Sequence, residues 1–247
     1  MKELMEGVPS GVSLAVFDGL ITDARTQFDA QQYDEAWQSW RKAANLAPTP
    51  LMVGVAIRGE AECAERLGDR NEAYARAGVA SVLHDGTLVV TSTSRLHPDL
   101  MRQHGYSASV LGRIGLGMMI EEEMGRVRHG GTVAFVIHIL HCLDTATRDL
   151  EYVEKEADTP DVYRVHALCD AAIGHALYGE RDKAQADGNL AITLGQDRCD
   201  MKAGSASSPA PYATTAESVA QLTALQPSWT REATLRLAQQ RFVPAES

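Results

Sequence analysis

Cysteine is scarce in this chain: Cys63, Cys142, Cys169 and Cys199 are the only four in 247 residues, and no two of them form a C-x-x-C pair. A chain of this length buries roughly 70–75% of the surface its unfolded form exposes, so it needs no disulfide or metal staple to fold. Four well-spaced thiols suit a reducing compartment. Long apolar runs are also missing. The most apolar stretches, such as 132–140, fall well short of the ~20 residues that span a bilayer. There is no excess of basic charge, because 23 Lys and Arg stand against 33 Asp and Glu, for a net charge of −10. Phosphate contacts need clustered Lys and Arg, so nucleic-acid and anionic-membrane partners are disfavoured. The opening residues Met1-Lys2-Glu3-Leu4-Met5-Glu6-Gly7 carry acid where a secretory leader needs a basic end followed by an apolar core. A cytoplasmic protein is expected.

Catalytic signatures are absent as well. No Gly-x-Ser-x-Gly, His-Glu-x-x-His or Glu-x-x-His occurs. Gly112, Gly115 and Gly117 are followed by Met118-Met119-Ile120, with no Lys-Ser/Thr to hold a phosphate, and are read as sites of close helix packing or a kink.

What is present is helical periodicity. An apolar fraction of 45% against 23% charged is that of an ordinary globular chain. Leu14, Phe17, Leu20, Ile21, Ala24 and Phe28 follow three- and four-residue spacing, the mark of one buried helix face. After a turn at 30–33, Ala36, Trp37, Trp40, Ala43, Ala44 and Leu46 continue the pattern up to Pro48. Further helices are expected over 51–67, which stops at Gly68-Asp69, and over 72–83. Residues 84–98, rich in β-branched and hydroxyl side chains, read as a loop with a short extended piece. Residues 101–128 read as a helix bent or broken by Gly105, Gly112, Gly115, Gly117 and Gly125, since each interior glycine costs a helix about 1 kcal/mol relative to Ala. Residues 132–157 read as a helix whose start would also pass as a strand. A helix pair over 160–178 and 182–194 follows around Gly179. Then come a Ser/Pro/Ala linker at 201–216 and two short helices over 215–225 and 229–242.

Three blocks repeat. The first runs Phe28…Tyr33-Asp34-Glu35-Ala36, then Trp40, Ala43 and Pro48. The second runs Gly68-Asp69-Arg70-Asn71-Glu72-Ala73, then Ala77, Ala80 and Leu83. The third runs Gly179-Glu180-Arg181-Asp182-Lys183-Ala184, then Gly188, Ala191 and Leu194. Ala36 and Ala73 lie 37 residues apart, and Ala184 lies three such periods further on, with Val110 and Thr147 at the intervening positions. Small residues at Ala24, Ala36 and Ala43 let antiparallel helices approach, while Phe28 and Trp40 are large enough to fill the next unit's groove.

These blocks resemble the tetratricopeptide repeat (TPR), best over 17–83 and again over 165–196. Asp23, Gln27 and Gly188 depart from the family's apolar or large positions. The resemblance implies an all-α, TPR-like right-handed superhelix of antiparallel helix pairs, with an irregular middle. A repeat domain is expected over 1–200 and a linker with capping helices over 201–247. The step Pro227-Ser228-Trp229-Thr230 into Leu235, Leu237 and Phe242 is similar to the segment that closes such arrays in some bacterial signalling regulators, with Ser228 as the N-cap.

In that family, ligands lie along the first helices of successive pairs. Carried over, this places Ile21, Arg25 and Asp29, then Arg58, Glu62 and Arg66, then His166, Asp170 and Ile173 along one groove. The binding set expected from it is Arg25, Arg58, Glu62, Arg66, His166 and Asp170. The family's carboxylate clamp uses Lys and Asn at these sites, so a chaperone tail is not the expected ligand. Guanidinium groups nonetheless bind carboxylates through forked hydrogen bonds. The function implied is a non-catalytic protein- or peptide-binding scaffold or ligand-sensing regulator, whose partner is a protein or peptide segment of acidic character. The competing class is an all-helical enzyme with a site around 104–141, where Gly, Met, His and Glu concentrate.

His138, His141 and Asp144 share a helix face, and His166 or His175 could complete a metal shell. Without a completed motif these histidines are read as ordinary surface or half-buried side chains, and neither metal nor cofactor is expected. The run Glu121-Glu122-Glu123 with Arg126 and Arg128 reads as a solvated helix face. Met118, Met119 and Met124 read as core filling.

Overall fold

The structure, a computed structural model, describes residues 14–91, 97–125, 132–158, 161–197, 215–226 and 229–243, with the side chains of 88–91 left aside. Every regular element among them is an α-helix: α1 (Leu14–Asp29), α2 (Tyr33–Leu46), α3 (Pro50–Arg66), α4 (Arg70–Thr91), α5 (Pro98–Glu123), α6 (Val133–Ala157), α7 (Val162–Leu177), α8 (Arg181–Gln196), α9 (Thr215–Leu225) and α10 (Arg231–Phe242). Neighbours in sequence pack as neighbours in space, in consecutive pairs, an arrangement compatible with a helical repeat. No described helix is long and apolar enough to cross a membrane.

Local chemistry sets the boundaries. Thr49 caps α3 by accepting a hydrogen bond from the Met52 amide at 3.2 Å, and Pro50 takes the first helical position, where no amide hydrogen is needed. Thr132, Asp161 and Thr230 cap α6, α7 and α10 in the same way. The expected cap Ser228 lies outside the described residues. Gly68 and Gly179 end α3 and α7 with φ of +86° and +87°, a conformation that suits glycine.

The chain divides into two compact units, Met1–Val110 and Leu111–Ser247, with the division falling inside α5. In the first unit, Phe17, Ile21 and Ala24 of α1, Ala36, Trp40 and Ala43 of α2, and Met52, Ala56 and Cys63 of α3 form one apolar cluster. The Trp40 ring lies on Gly59. A Cβ built there would sit 2.3 Å from ring atoms Cδ2 and Cε2. Gly59→Ala is therefore expected to destabilise by about 1–3 kcal/mol through overpacking, although alanine is the better helix former. Chemical denaturation of the single variant checks this.

In the second unit α7 is the hub, in contact with α6, α8, α9 and α10, and apart from Tyr163 every one of its residues is buried. Gly188 of α8, which departs from the large residue the repeat pattern wants, has the Trp229 ring over it; a Cβ there would lie 2.9 Å from Cζ2. The missing bulk is supplied from the segment before α10.

Two expectations change. Residues 84–91 continue α4 instead of starting a loop, because buried His84 is tied to the Leu51 carbonyl and Ser107, and the Thr87 hydroxyl bonds back to the Leu83 carbonyl. Packing outweighs the weak helix propensity of β-branched residues. The rest of that segment, 92–96, is outside the described residues. Helix α5 runs unbroken through four glycines, and at Gly112 the missing side chain leaves room for Leu143 of α6, whose Cδ2 would stand 2.7 Å from a Cβ. The start of α6, which would also pass as a strand, is helix as expected, with Thr132 as its cap.

Candidate functional site

The six expected binding residues fall in three different environments. Arg58 is 2% exposed and turned inward. Its Nη1 reaches the Gln103 carbonyl at 3.4 Å, its Nε lies 3.9 Å from Glu62 Oε1, and its guanidinium stands 5.4 Å from the Tyr106 ring centroid. Glu62 is buried beside it. Both come from the middle of α3, and the first half of α5 supplies the other contacts.

Arg25 of α1 and Arg66 of α3 are part-exposed. The Arg66 guanidinium lies 5.7 Å from the centroid of Phe28 on α1. This cation–π contact joins the C-terminal ends of α1 and α3 and holds a positive charge at a half-buried aromatic.

His166 and Asp170 are buried in the second unit beneath α9 and α10. Asp170 Oδ1 accepts from Arg241 Nε at 2.7 Å, and Arg241 Nη1 donates to Ser218 Oγ at 2.8 Å. His166 contacts Thr215 Oγ1 at 3.3 Å and Ser218 Oγ at 3.4 Å. Burial works against the Arg241 charge, but Asp170 overrides it and holds the guanidinium above its ordinary value. These residues fasten the C-terminal helices to α7.

Sequence reasoning passed over Glu60 and Arg76. Buried Glu60 accepts from Trp37 Nε1 at 3.1 Å and pairs with Arg76, which stacks 5.2 Å from the Trp37 ring. Burial raises the Glu60 carboxyl above its usual range, with Arg76 and Trp37 opposing. No period or spacing signals this contact, which joins α2, α3 and α4.

The expected alternative site around 104–141 contributes a partly structural set. His138 and His141 are exposed on α6, with His138 Nε2 3.7 Å from Cys142 Sγ. His104, near the start of α5, reaches Asp85 Oδ1 at 2.7 Å. Asp144 turns the other way, toward α7 and α8. Its Oδ1 accepts from Nε2 of His175 at 2.8 Å, and its Oδ2 from Lys183 at 3.1 Å. Glu180 Oε2 lies 2.9 Å from His175 Nδ1, a close approach without a hydrogen bond. Asp187 Oδ2 stands 3.8 Å from Nε2. Burial would raise the Asp144 carboxyl, yet its bonds to His175 and Lys183 prevail and hold it below the ordinary value. Burial pushes Asp187 up to about 6, helped by Asp144 and opposed by His175 and Lys183.

Two histidines make acid the chain's weak point. His84, with Nε2 donating to the Leu51 carbonyl and Nδ1 accepting from Ser107, is held down to about 3 by burial and by Arg58. His166 is held down to about 3 by burial, Arg241 and Arg113. A depressed histidine contributes stability that is present above pH 6.5 and is lost as pH falls from there toward 3. Each is expected to remove about 2 kcal/mol between pH 7 and pH 5. Relief at Asp187 partly offsets this, because its raised carboxyl is easier to accommodate once protonated. Denaturant midpoints across that range check the sign, and His166→Gln should flatten the slope.

No protein-family model matches the chain, and no curated protein matches it.

Proposed function

We propose that the protein is a helical-repeat binding module of the tetratricopeptide type, which takes an acidic peptide segment along the neighbouring faces of α1 and α3. The observation that carries this reading is the part-exposed Arg66 stacked on Phe28, with Arg25 part-exposed on the same helix as that ring. A guanidinium held by its face binds carboxylates through its edge, in bidentate fashion. On a chain of net charge −10, a part-exposed arginine kept over an aromatic favours a ligand of negative charge. Arg58 and Glu62 have a different part: both are buried, and Arg58 packs inward on Tyr106 and the Gln103 carbonyl of α5.

The test is selection of binders to the full chain from a random 12-residue peptide library. Enrichment in Asp and Glu is expected. The double change Arg25→Ala with Arg66→Ala should weaken the selected peptides by about 1–3 kcal/mol, the cost of truncating a charged anchor, with the unfolding midpoint nearly unchanged. A pool without acidic bias, or equal affinity for the double variant, would refute the reading. Arg58→Ala is no substitute probe, because its buried position makes it a change of stability.

A further inference from the structure

We propose that Asp144, His175 and Asp187 form a site for a first-row divalent cation such as Zn²⁺ or Mn²⁺, independent of the peptide-binding face. The three donors come from three helices, α6, α7 and α8, and their ligand atoms all lie within 4.8 Å of one another. His175 is the floor, with a side chain wholly shielded from solvent, while Asp187 and Asp144 are 24% and 41% exposed at the side chain and form an open rim. An ion can therefore enter from solvent past the two carboxylates and meet the imidazole at the bottom.

The arrangement around the ring suits a cation better than it suits the protein alone. Three carboxylates, from Asp144, Glu180 and Asp187, converge on one imidazole, and Lys183 is the cation placed among them, 3.1 Å from Asp144 and 3.2 Å from Glu180. Lys183 uses Oδ2 of Asp144, whereas the ring uses Oδ1. The lysine thus leaves free the side on which Nε2, Oδ1 and the Asp187 oxygen face one another. The proton now shared between Nε2 and Asp144 Oδ1 occupies the place an ion would take. Asp187, 3.8 Å from Nε2, is too far to bond that proton and close enough to be drawn onto a metal.

The outer contact also fits. A metal-bound histidine commonly directs its second nitrogen at a carboxylate, which fixes the ring and raises its basicity. Glu180 Oε2 stands 2.9 Å from Nδ1 without bonding it, and a small turn of either side chain would align the two for this part. With a cation on Nε2 the remaining ring proton sits on Nδ1, facing Glu180. One imidazole with two carboxylates is a nitrogen–oxygen set that favours borderline first-row ions over Ca²⁺ or Mg²⁺, which prefer oxygen alone. Three protein donors leave further positions for water.

The experiment titrates the chelator-treated full chain with Zn²⁺ and, separately, with Mn²⁺, followed by calorimetry and by the thermal midpoint. Expected are one equivalent bound per chain, a rise in the midpoint, and a shift of the His175 ring resonances. Asp187→Asn, which removes one ligand at a part-exposed rim position, should stay folded and lose affinity at least about tenfold. Glu180→Gln should lose about 10- to 100-fold, the usual effect of an outer-shell change. Mn²⁺ separates this site from any thiol that attracts Zn²⁺. Absence of one-to-one binding by either ion, or binding equally strong in Asp187→Asn, would overturn the proposal.

Discussion

Trp40→Ala is expected to lower the stability of the first unit by about 3–5 kcal/mol, the usual cost of emptying a large aromatic site. Trp40 is 6% exposed and sits among Ala36, Ala43 and Met52, with its ring laid on Gly59 of the next helix pair. Nothing in that cluster can close the hole cheaply. Its small residues are backbone-limited, and α2 and α3 already approach closely because Gly59 has no side chain. Trp40→Phe keeps most of the volume and should retain more than half of the lost stability. Urea denaturation followed by far-UV circular dichroism distinguishes these outcomes. A midpoint for Trp40→Ala close to that of the parent would mean that the first two helix pairs do not depend on this contact.

The second large effect belongs to the buried pair of Asp170 and Arg241, 2.7 Å apart, with side chains 4% and 3% exposed. Asp170→Ala leaves the Arg241 guanidinium in a desolvated site with the Ser218 hydroxyl as its neighbour. Loss of one partner from such a pair costs about 3–5 kcal/mol, because a buried charge stays uncompensated. The damage should be local at first. Helix α10 touches α7 through this pair, so its release should expose the C-terminal segment to protease before the remainder of the unit unfolds. Replacing both residues together, as Asp170→Leu with Arg241→Met, removes the charge problem with its cause and should recover most of the loss. If the single and double variants are equally unstable, the pair's charges are not what holds α10 in place.

How far the sequence could be read depends on the range of the interaction concerned. Helix faces and turns within about twenty residues were legible. The Ala36–Trp40–Ala43 spacing marks the buried face of α2 correctly, and Gly68 and Gly179 mark true helix ends. Contacts between distant segments were not. Trp229 filling the gap at Gly188, and Arg241 meeting Asp170 across 71 residues, leave no periodic trace. The glycines of α5 mislead for a related reason. Read locally they weaken a helix, yet Gly112 makes room for Leu143 and so strengthens the packing that keeps the helix intact. The binding set shows the same division. Repeat register puts all six residues along one groove, but burial by later helices cannot be inferred from register, and only Arg25 and Arg66 are part-exposed. Arg58, Glu62, His166 and Asp170 accordingly sit inside. Spacing along one helix grouped Asp144 with His138 and His141, whereas packing turns Asp144 toward His175 and Asp187 on other helices.

The central claim is that an acidic segment lies along α1 and α3 and is held by Arg25 and Arg66. The most direct measurement follows the arginine Nε–Hε resonances of the full chain by NMR while an acidic peptide from the library selection is added. The Arg25 and Arg66 signals should shift progressively and saturate together, while buried Arg241, fixed on Asp170, stays in place. Saturating shifts confined to other arginines, with Arg25 and Arg66 unmoved by a peptide that demonstrably binds, would contradict the account.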